Sequence, residues 1–285
     1  MKVVRAATAG FCMGVSLALQ KLNDALDESG NGDAGGRIAT LGPLIHNPQV
    51  LADYAGRGVV CIEEDDALFP EDCVVIRAHG ITRQREARLR ECGVRVVDAT
   101  CPRVKKAQLS IARATSRGAA LLLFGEGRHP EVRGLVSYAA GSAHVFASPD
   151  ELQELDLSPD ADVVLASQTT QDKASFDALV MDLKGRFPSL TVLSTICDAT
   201  RERQDEARRI AQSVDVMVVM GGRQSGNTRR LADVAAAGGV ETFHVETVEE
   251  LDAGSFLQKR VAGLTAGAST PKRVIDIAER WLSAL

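Results

Sequence analysis

The sequence predicts an α/β protein made of three similar small modules, each with a parallel sheet, in a pseudo-threefold arrangement. Apolar strand-like runs alternate with amphipathic helical segments along the chain, which is typical of parallel sheets. The length of 285 residues suffices for about two or three small domains. One order of elements also occurs three times, with a cysteine at the same place each time.

Each occurrence begins with a strand, a polar loop, an amphipathic helix and a glycine, in the segments 37–58, 119–141 and 215–239. A short apolar run, an acidic turn, and a further strand and helix follow each segment. Any α/β protein alternates strands with helices, so coincidence is the alternative explanation of this repeat. The matching cysteines weigh against it.

The third occurrence lacks a final strand. The first two finish on VRVVDATC and LTVLSTIC, whereas the third reaches Leu285 without such a segment. The N-terminal KVVRAATAGFC has the missing form. We therefore predict modules over residues 13–100, 101–196 and 197–285, with the N-terminal strand of residues 1–12 completing the sheet of the last module.

The charge pattern disfavours nucleic acid as a partner. The net charge is -5, from 33 Lys and Arg against 38 Asp and Glu, and the signs are interspersed without a polybasic block. The N-terminal apolar run is short and contains Arg5, unlike a signal peptide. No segment offers about 18 uninterrupted apolar residues for a membrane span. We expect a cytoplasmic protein that does not bind membranes.

The cysteine positions indicate a metal site. Cys12, Cys101 and Cys197 each end a predicted strand and open a helix, once per module. The positive end of a helix lowers the pKa of a thiol and favours a metal ligand. Three thiolates suit a cubane iron–sulfur cluster with one open iron, whereas structural zinc usually takes four protein ligands. The other cysteines are expected to be small core hydrophobes: Cys61, Cys73 and Cys92.

Polar residues recur in the loops that follow the strands. His46 and His129 occupy matching loops, and the third module has Ser225, Gly226 and Asn227 in that place. The next strand of each module ends near a polar residue, respectively His79, Thr169 and Ser269. Taken singly, such residues are commonly helix N-caps. Together with several helix N-termini they favour a compact polyanion, and diphosphate fits them better than a single carboxylate.

Two phosphate-binding patterns are incomplete. GGRQSGN lacks the Lys-Ser/Thr of a Walker motif, and GEGRHP lacks the last glycine of a dinucleotide fingerprint. We therefore expect neither ATP hydrolysis nor nicotinamide binding. Glu131 follows Pro130 in the first turn of a predicted helix, where it is either a proton donor or only a partner of the helix dipole.

The motifs, read in order, are similar to those of one known family. They are GFCMGV, IHNPQV, AHG, DATCP, HPEV, SQTT, ICDAT followed by RQ, SGNT and TAGAST. The chain resembles the 4-hydroxy-3-methylbut-2-enyl diphosphate reductases, also called the IspH or LytB family, over essentially its whole length. The resemblance implies reduction of that substrate to isopentenyl and dimethylallyl diphosphates, the last step of the methylerythritol phosphate route to isoprenoids.

The resemblance also implies roles for the candidate residues. Cys12, Cys101 and Cys197 would hold a central 4Fe-4S cluster whose open iron meets the substrate hydroxyl, with Glu131 and Thr169 at the hydroxyl end of the pocket. The diphosphate would be bound by the remaining candidates: His46, His79, His129, Ser225, Asn227 and Ser269. Gly226 is a departure, because some members carry a serine there and one hydroxyl contact is lost.

The resemblance implies a ferredoxin or flavodoxin as the electron donor, since the sequence has no recognisable flavin or nicotinamide site. Two alternatives stay open at this point. A paralogous reductase would use the same residues on another allylic diphosphate. A non-catalytic cluster or phosphate sensor would have less use for Glu131 and Thr169.

Overall fold

The computed structural model describes residues 1–30, 36–63, 65–153 and 157–285. In this part of the chain all strand pairs are parallel and form three sheets of four strands each. The strands are β1 (Lys2–Arg5), β2 (Ile38–Leu41), β3 (Val60–Ile62), β4 (Cys73–Ile76), β5 (Arg95–Asp98), β6 (Ala120–Phe124), β7 (Ala143–Phe146), β8 (Val163–Ser167), β9 (Thr191–Val192), β10 (Val216–Met220), β11 (Glu241–Val245) and β12 (Val261–Ala266).

Helices connect the strands, as parallel pairing demands. The α-helices are α1 (Met13–Gly30), α2 (Pro48–Ala55), α3 (Arg83–Glu91), α4 (Pro102–Ala114), α5 (Pro130–Val136), α6 (Pro149–Gln153), α7 (Lys173–Arg186), α8 (Asp198–Ala211), α9 (Gly226–Ala236) and α10 (Lys272–Ala284). Two short 3-10 turns cover Val248–Glu250 and Ala253–Phe256. Among the described helices none is both long and apolar enough to cross a bilayer.

The strand order repeats from sheet to sheet. The orders are β3-β2-β4-β5, β7-β6-β8-β9 and β11-β10-β12-β1, so β1 takes the fourth place that β5 and β9 take elsewhere. Lys2 pairs with Val261 and Arg5 with Leu264. The structure thus confirms the predicted α/β class with three similar modules, including the return of the N-terminal strand to the last sheet.

Contact density divides the chain into two compact units. The first unit contains Met1–Ser16, Ile45–Asp53 and Cys197–Leu285, and therefore the sheet of β1, β10, β11 and β12. The second unit contains Leu17–Leu44 and Tyr54–Ile196, and therefore the other two sheets. The three module boundaries proposed from the repeat stay a prediction, since these units group the chain differently.

The first unit has an apolar core on both faces of its sheet. Val216, Val218 and Met220 of β10 pack with α10 residues on one face. Met217 and Val219 point the other way and pack with apolar residues of α8 and α9. Because both faces are covered, β10 is a continuous apolar run with no polar alternation.

The second unit repeats this arrangement around β6. Leu121 and Leu123 pack against α4 and α5, while Leu122 and Phe124 pack against α7. All four side chains are at most 6% exposed. Rigid buried strands of this kind fix the loops that follow them, which is where the candidate residues lie.

The prediction for the remaining cysteines is correct for one and wrong for two. Cys73 of β4 is buried, but Cys61 and Cys92 are exposed. Cys61 lies on β3, an edge strand with one buried residue, and Cys92 caps the C-terminal end of α3. Burial raises the pKa of the Cys73 thiol above its ordinary value.

These burial differences predict different costs of substitution. Cys73→Ala should lower the free energy of unfolding by about 1 kcal/mol, because it removes a buried sulfur from a packed strand. Cys61→Ala and Cys92→Ala should change it by less than about 0.5 kcal/mol. Urea unfolding of the three variants measures this, and equal losses in all three would contradict the assignment.

Candidate functional site

Three helices begin immediately after a predicted metal-ligating cysteine. Cys101 and Cys197 are the N-cap residues of α4 and α8, and Cys12 directly precedes α1. Neither Cys101 nor Cys197 accepts a capping hydrogen bond through its sulfur. All three cysteines are half-buried. The predicted helix starts are therefore present, but the strands end earlier than expected, since β1 stops at Arg5 and β9 at Val192.

In the first unit a buried arginine lies beside two of these thiols. Arg203 of α8 is 4% exposed, and its guanidinium donates to the carbonyls of Thr8 at 3.1 Å and Gly10 at 2.8 Å. Burial lowers the pKa of Arg203, and the negative charge of Cys12 and Cys197 thiolates acts in the opposite direction. A buried cation near two cysteines suits a metal site, because it would offset the negative charge of metal-bound thiolates.

Glu206, less than one helical turn beyond Arg203, binds the same loop. Its carboxylate accepts hydrogen bonds from the backbone N–H groups of Ala7 at 2.8 Å and Thr8 at 2.9 Å. Although burial acts to raise it, these bonds and one from the Thr8 hydroxyl hold the pKa of Glu206 below its ordinary value. Arg203 and Glu206 together thus attach the loop before Cys12 to the helix that Cys197 opens.

The first unit also contains the candidate polar residues around α9. Ser225 caps the helix, and its hydroxyl accepts from the N–H of Thr228 at 3.3 Å. Gly226 and Asn227 follow in the first turn and are buried. The hydroxyl of Ser269 donates to the carbonyl of His46 at 3.1 Å. This bond joins two predicted site residues that are far apart in sequence.

Glycine is required next to His46. A Cβ placed on Gly222 would lie 2.7 Å from the carbonyl oxygen of His46, which is too close for any other residue without a shift of the backbone. Asn47 is 1% exposed and caps α2 by accepting from the N–H of Val50 at 3.0 Å. The side-chain Nδ2 groups of Asn47 and Asn227 are buried donors without an acceptor among the described residues. Buried donors of this kind are suited to an anion.

In the second unit the structure brings Glu131 and Thr169 into direct contact. Glu131 is 2% exposed. The backbone N–H of Thr169 donates to Oε1 of Glu131 at 2.6 Å, and the Thr169 hydroxyl donates to Oε2 of Glu131 at 3.0 Å. This carboxylate is therefore held at both oxygens, which is more than a partner of the helix dipole requires.

His129 and His79 lie together in the same unit. His129 caps α5, and its Nδ1 accepts from the N–H of Glu131 at 3.1 Å. In a neutral ring this leaves the proton on Nε2, so Nε2 is a donor. The two imidazole rings are 5.3 Å apart and nearly perpendicular. The pair therefore lies at the N-terminal end of α5, the helix that carries the buried Glu131.

The structure therefore groups the predicted residues within each unit. The first unit contains Cys12, Cys197, His46, Ser225, Gly226, Asn227 and Ser269. The second unit contains Cys101, His79, His129, Glu131 and Thr169. Arg203 and Glu206 were missed by sequence reasoning, although Arg203 begins the RQ pair that follows ICDAT.

Comparison with known proteins gives a consistent result. The sequence model of the family described as LytB protein matches residues 3–283. The chain is 66% identical to 4-hydroxy-3-methylbut-2-enyl diphosphate reductase of Desulfovibrio desulfuricans, with 100% of both chains covered. It is 57% identical to the protein of that name from Nitratidesulfovibrio vulgaris, again with 100% of both covered.

Two solved structures are also similar. The E-1-hydroxy-2-methyl-but-2-enyl-4-diphosphate reductase of Plasmodium falciparum shares the fold, with a TM-score of 0.92 at 24% identity, covering 100% of this chain and 87% of that one. The structure entitled (E)-4-hydroxy-3-methyl-but-2-enyl diphosphate reductase, the terminal enzyme of the non-mevalonate pathway, has a TM-score of 0.70 at 34% identity, with 100% of both chains covered.

Because Arg203 holds the loop before Cys12, we expect its replacement to make that loop less ordered. Arg203→Met should lower the free energy of unfolding by about 2 kcal/mol, because two backbone carbonyls lose a charged donor. Amide hydrogen exchange should speed up in residues 6–12. Arg201→Met, an exposed arginine on the same helix, is the matched control and should leave both measurements nearly unchanged. Unaltered exchange in the Arg203 variant would show that Glu206 alone holds the loop.

Proposed function

The chain belongs to the LytB protein family, and on that premise we propose that it converts 4-hydroxy-3-methylbut-2-enyl diphosphate into isopentenyl and dimethylallyl diphosphates. This reaction consumes two electrons and two protons. The allylic C–O bond breaks, one proton joins the leaving hydroxyl, which departs as water, and the electron pair with the second proton forms a C–H bond on the carbon chain. The buried Glu131–Thr169 pair carries the proposal, because a reductive dehydroxylation needs a positioned proton donor and a sensor does not.

The cysteines fit the cofactor that this family membership implies. We assign Cys12, Cys101 and Cys197 as the ligands of a 4Fe-4S cluster. The buried guanidinium of Arg203 beside Cys12 and Cys197 supports the assignment, because it balances the negative charge of metal-bound thiolates. When bound, such a cluster would supply Lewis-acid and electron-transfer chemistry to the substrate.

Glu131 and Thr169 deliver the proton in this proposal. Protonated Glu131 keeps one oxygen as acceptor for the rigid backbone N–H of Thr169. The Thr169 hydroxyl either donates or accepts, so it adapts to both protonation states of the carboxyl group. The proton therefore has a fixed position from which it reaches the leaving hydroxyl.

The diphosphate is held by neutral donors and helix N-termini. Nε2 of His129 donates to a phosphate oxygen because its Nδ1 is already an acceptor for the N–H of Glu131. His46, His79, Ser225, Asn227 and Ser269 complete the set. Gly226 offers no hydroxyl, but it is the first residue of α9, whose early N–H groups have no partner inside the helix. A backbone donor thus takes the place of the missing side chain.

Electrons come from a separate carrier in this proposal, a ferredoxin or a flavodoxin. We expect the enzyme to work in the cytoplasm. The paralogous reductase is the second candidate, since the same residues accept any short allylic diphosphate, and product analysis with the proposed substrate separates the two.

The ligand assignment predicts the behaviour of cysteine variants. Anaerobically purified protein should show the broad visible absorption of a 4Fe-4S cluster. Replacing Cys12, Cys101 or Cys197 by serine should remove most of the absorption and most of the iron. Cys92→Ser is the matched control on an exposed cysteine and should retain both. Full retention of iron in all three ligand variants would overturn the assignment.

The role of Glu131 predicts a selective loss of turnover. Wild-type protein given the proposed substrate and a reduced dye should form both products. Glu131→Gln keeps an oxygen for the Thr169 N–H but removes the exchangeable proton, so turnover should fall by about a hundredfold or more. Iron content and substrate binding should stay near those of the wild type. Glu151→Gln, the same substitution at an exposed residue, is the control. Near-normal turnover of Glu131→Gln would remove Glu131 from the mechanism.

A further inference from the structure

Helix α4 carries an unusual concentration of positive charge. Its sequence PRVKKAQLSIARA contains Arg103, Lys105, Lys106 and Arg113 and no acidic residue. The chain as a whole has a net charge of -5. By contrast, α8, which also follows a cysteine, balances its arginines with aspartate and glutamate. A helix whose charged side chains are all positive, in a protein of negative net charge, indicates attraction of an anionic partner.

Three of these four cations occupy positions that are unfavourable for the helix itself. Arg103, Lys105 and Lys106 lie within the first five residues, where the helix dipole favours acidic side chains and disfavours basic ones. Lys105 has acidic partners within the protein, because its ammonium lies 3.4 Å from Glu86 and 3.6 Å from Asp98. Lys106 and Arg113 form no ion pair with a described residue. The placement of Lys106 near the N-terminus therefore needs an explanation outside the helix, whereas Arg113 lies in the last turn, where the dipole favours a cation.

The cations share one exposed face. Arg103, Lys106, Leu109 and Arg113 are spaced by three, three and four residues, which places them on one side of a helix, and all are exposed. Leu109 is 56% exposed in the middle of this row. The opposite side, with Val104, Ala107 and Ile111, is buried. An apolar centre with a charged rim is the usual form of a protein-docking surface.

We propose that this face of α4 (Arg103, Lys106, Leu109 and Arg113) docks a small acidic one-electron carrier protein. The inference rests on the proposed function, in which electrons come from outside. Helix α4 opens at Cys101, and at 1.5 Å per residue Lys106 lies about 8 Å along the axis from it. A carrier held on this face is therefore close to a proposed cluster ligand. Charge complementarity speeds such transient encounters, and salt weakens them.

The test compares a small donor with a protein donor in the same variants. Lys106→Glu and Arg113→Glu are assayed with reduced methyl viologen and with a reduced acidic 4Fe-4S ferredoxin over a range of ionic strength. The control is Lys184→Glu, which makes the same charge change at an exposed residue of α7 in the same unit. Calorimetric binding of oxidised ferredoxin is measured in parallel, because it does not depend on turnover.

The expected result is a raised apparent KM for ferredoxin, by about tenfold at low salt, in the two α4 variants alone. Their turnover with methyl viologen and their iron content should match the wild type. Ferredoxin binding that is equal in the α4 and α7 variants would overturn the proposal. Loss of iron in the α4 variants would also overturn it, since the cations would then serve the cluster. Absence of turnover with intact, charge-dependent ferredoxin binding would refute the proposed function and leave the docking surface standing.

Discussion

Parallel pairing of the strands is the constraint from which the site geometry follows. The carboxyl ends of parallel strands meet at one edge of a sheet, and a helix N-terminus follows each of them. In the second unit, Phe124 at the end of β6 pairs with Ser167 at the end of β8. The chain beyond β6 carries Glu131 at the start of α5, and the loop beyond β8 carries Thr169, whose backbone N–H donates to Oε1 of Glu131 at 2.6 Å. In the first unit, Met220 of β10 pairs with Ala266 of β12, and Ser225 and Ser269 lie in the loops beyond.

Charge in the first unit is arranged around the cysteines. Burying a guanidinium is costly unless its donors are satisfied, and Arg203 meets this condition with the carbonyls of Thr8 and Gly10. Because these acceptors are uncharged, they leave the positive charge of Arg203 available to offset negative charge on Cys12 and Cys197. Glu206 accepts hydrogen bonds from N–H and O–H groups of the same loop. The two residues thus hold one segment through separate hydrogen bonds, and the negative charge of Glu206 also acts on Arg203.

The sequence was sufficient to predict the fold because the repeat is expressed in strand and helix order, which local patterns reveal. The repeat also predicted that β1 completes the last sheet, where the structure gives it the fourth position. It was wrong about Cys61 and Cys92 because a buried strand pattern does not distinguish an edge strand or a helix end from the core. Arg203 and Glu206 were missed because their partners lie almost two hundred residues away in the chain. Such contacts depend on packing that no local pattern specifies.

The contact between Glu131 and Thr169 is a feature of the site that the sequence does not reveal. Both residues were predicted from the sequence, but only the hydrogen bonds in the structure show that they bind each other. The two carboxylate oxygens then become unequal. Oε1 faces a backbone N–H, which only donates, whereas Oε2 faces a hydroxyl, which donates or accepts. A proton on Oε1 would oppose the Thr169 N–H, while a proton on Oε2 needs only a rotation of the Thr169 hydroxyl. The transferable proton of the proposed mechanism therefore belongs on Oε2, with Oε1 as the fixed anchor.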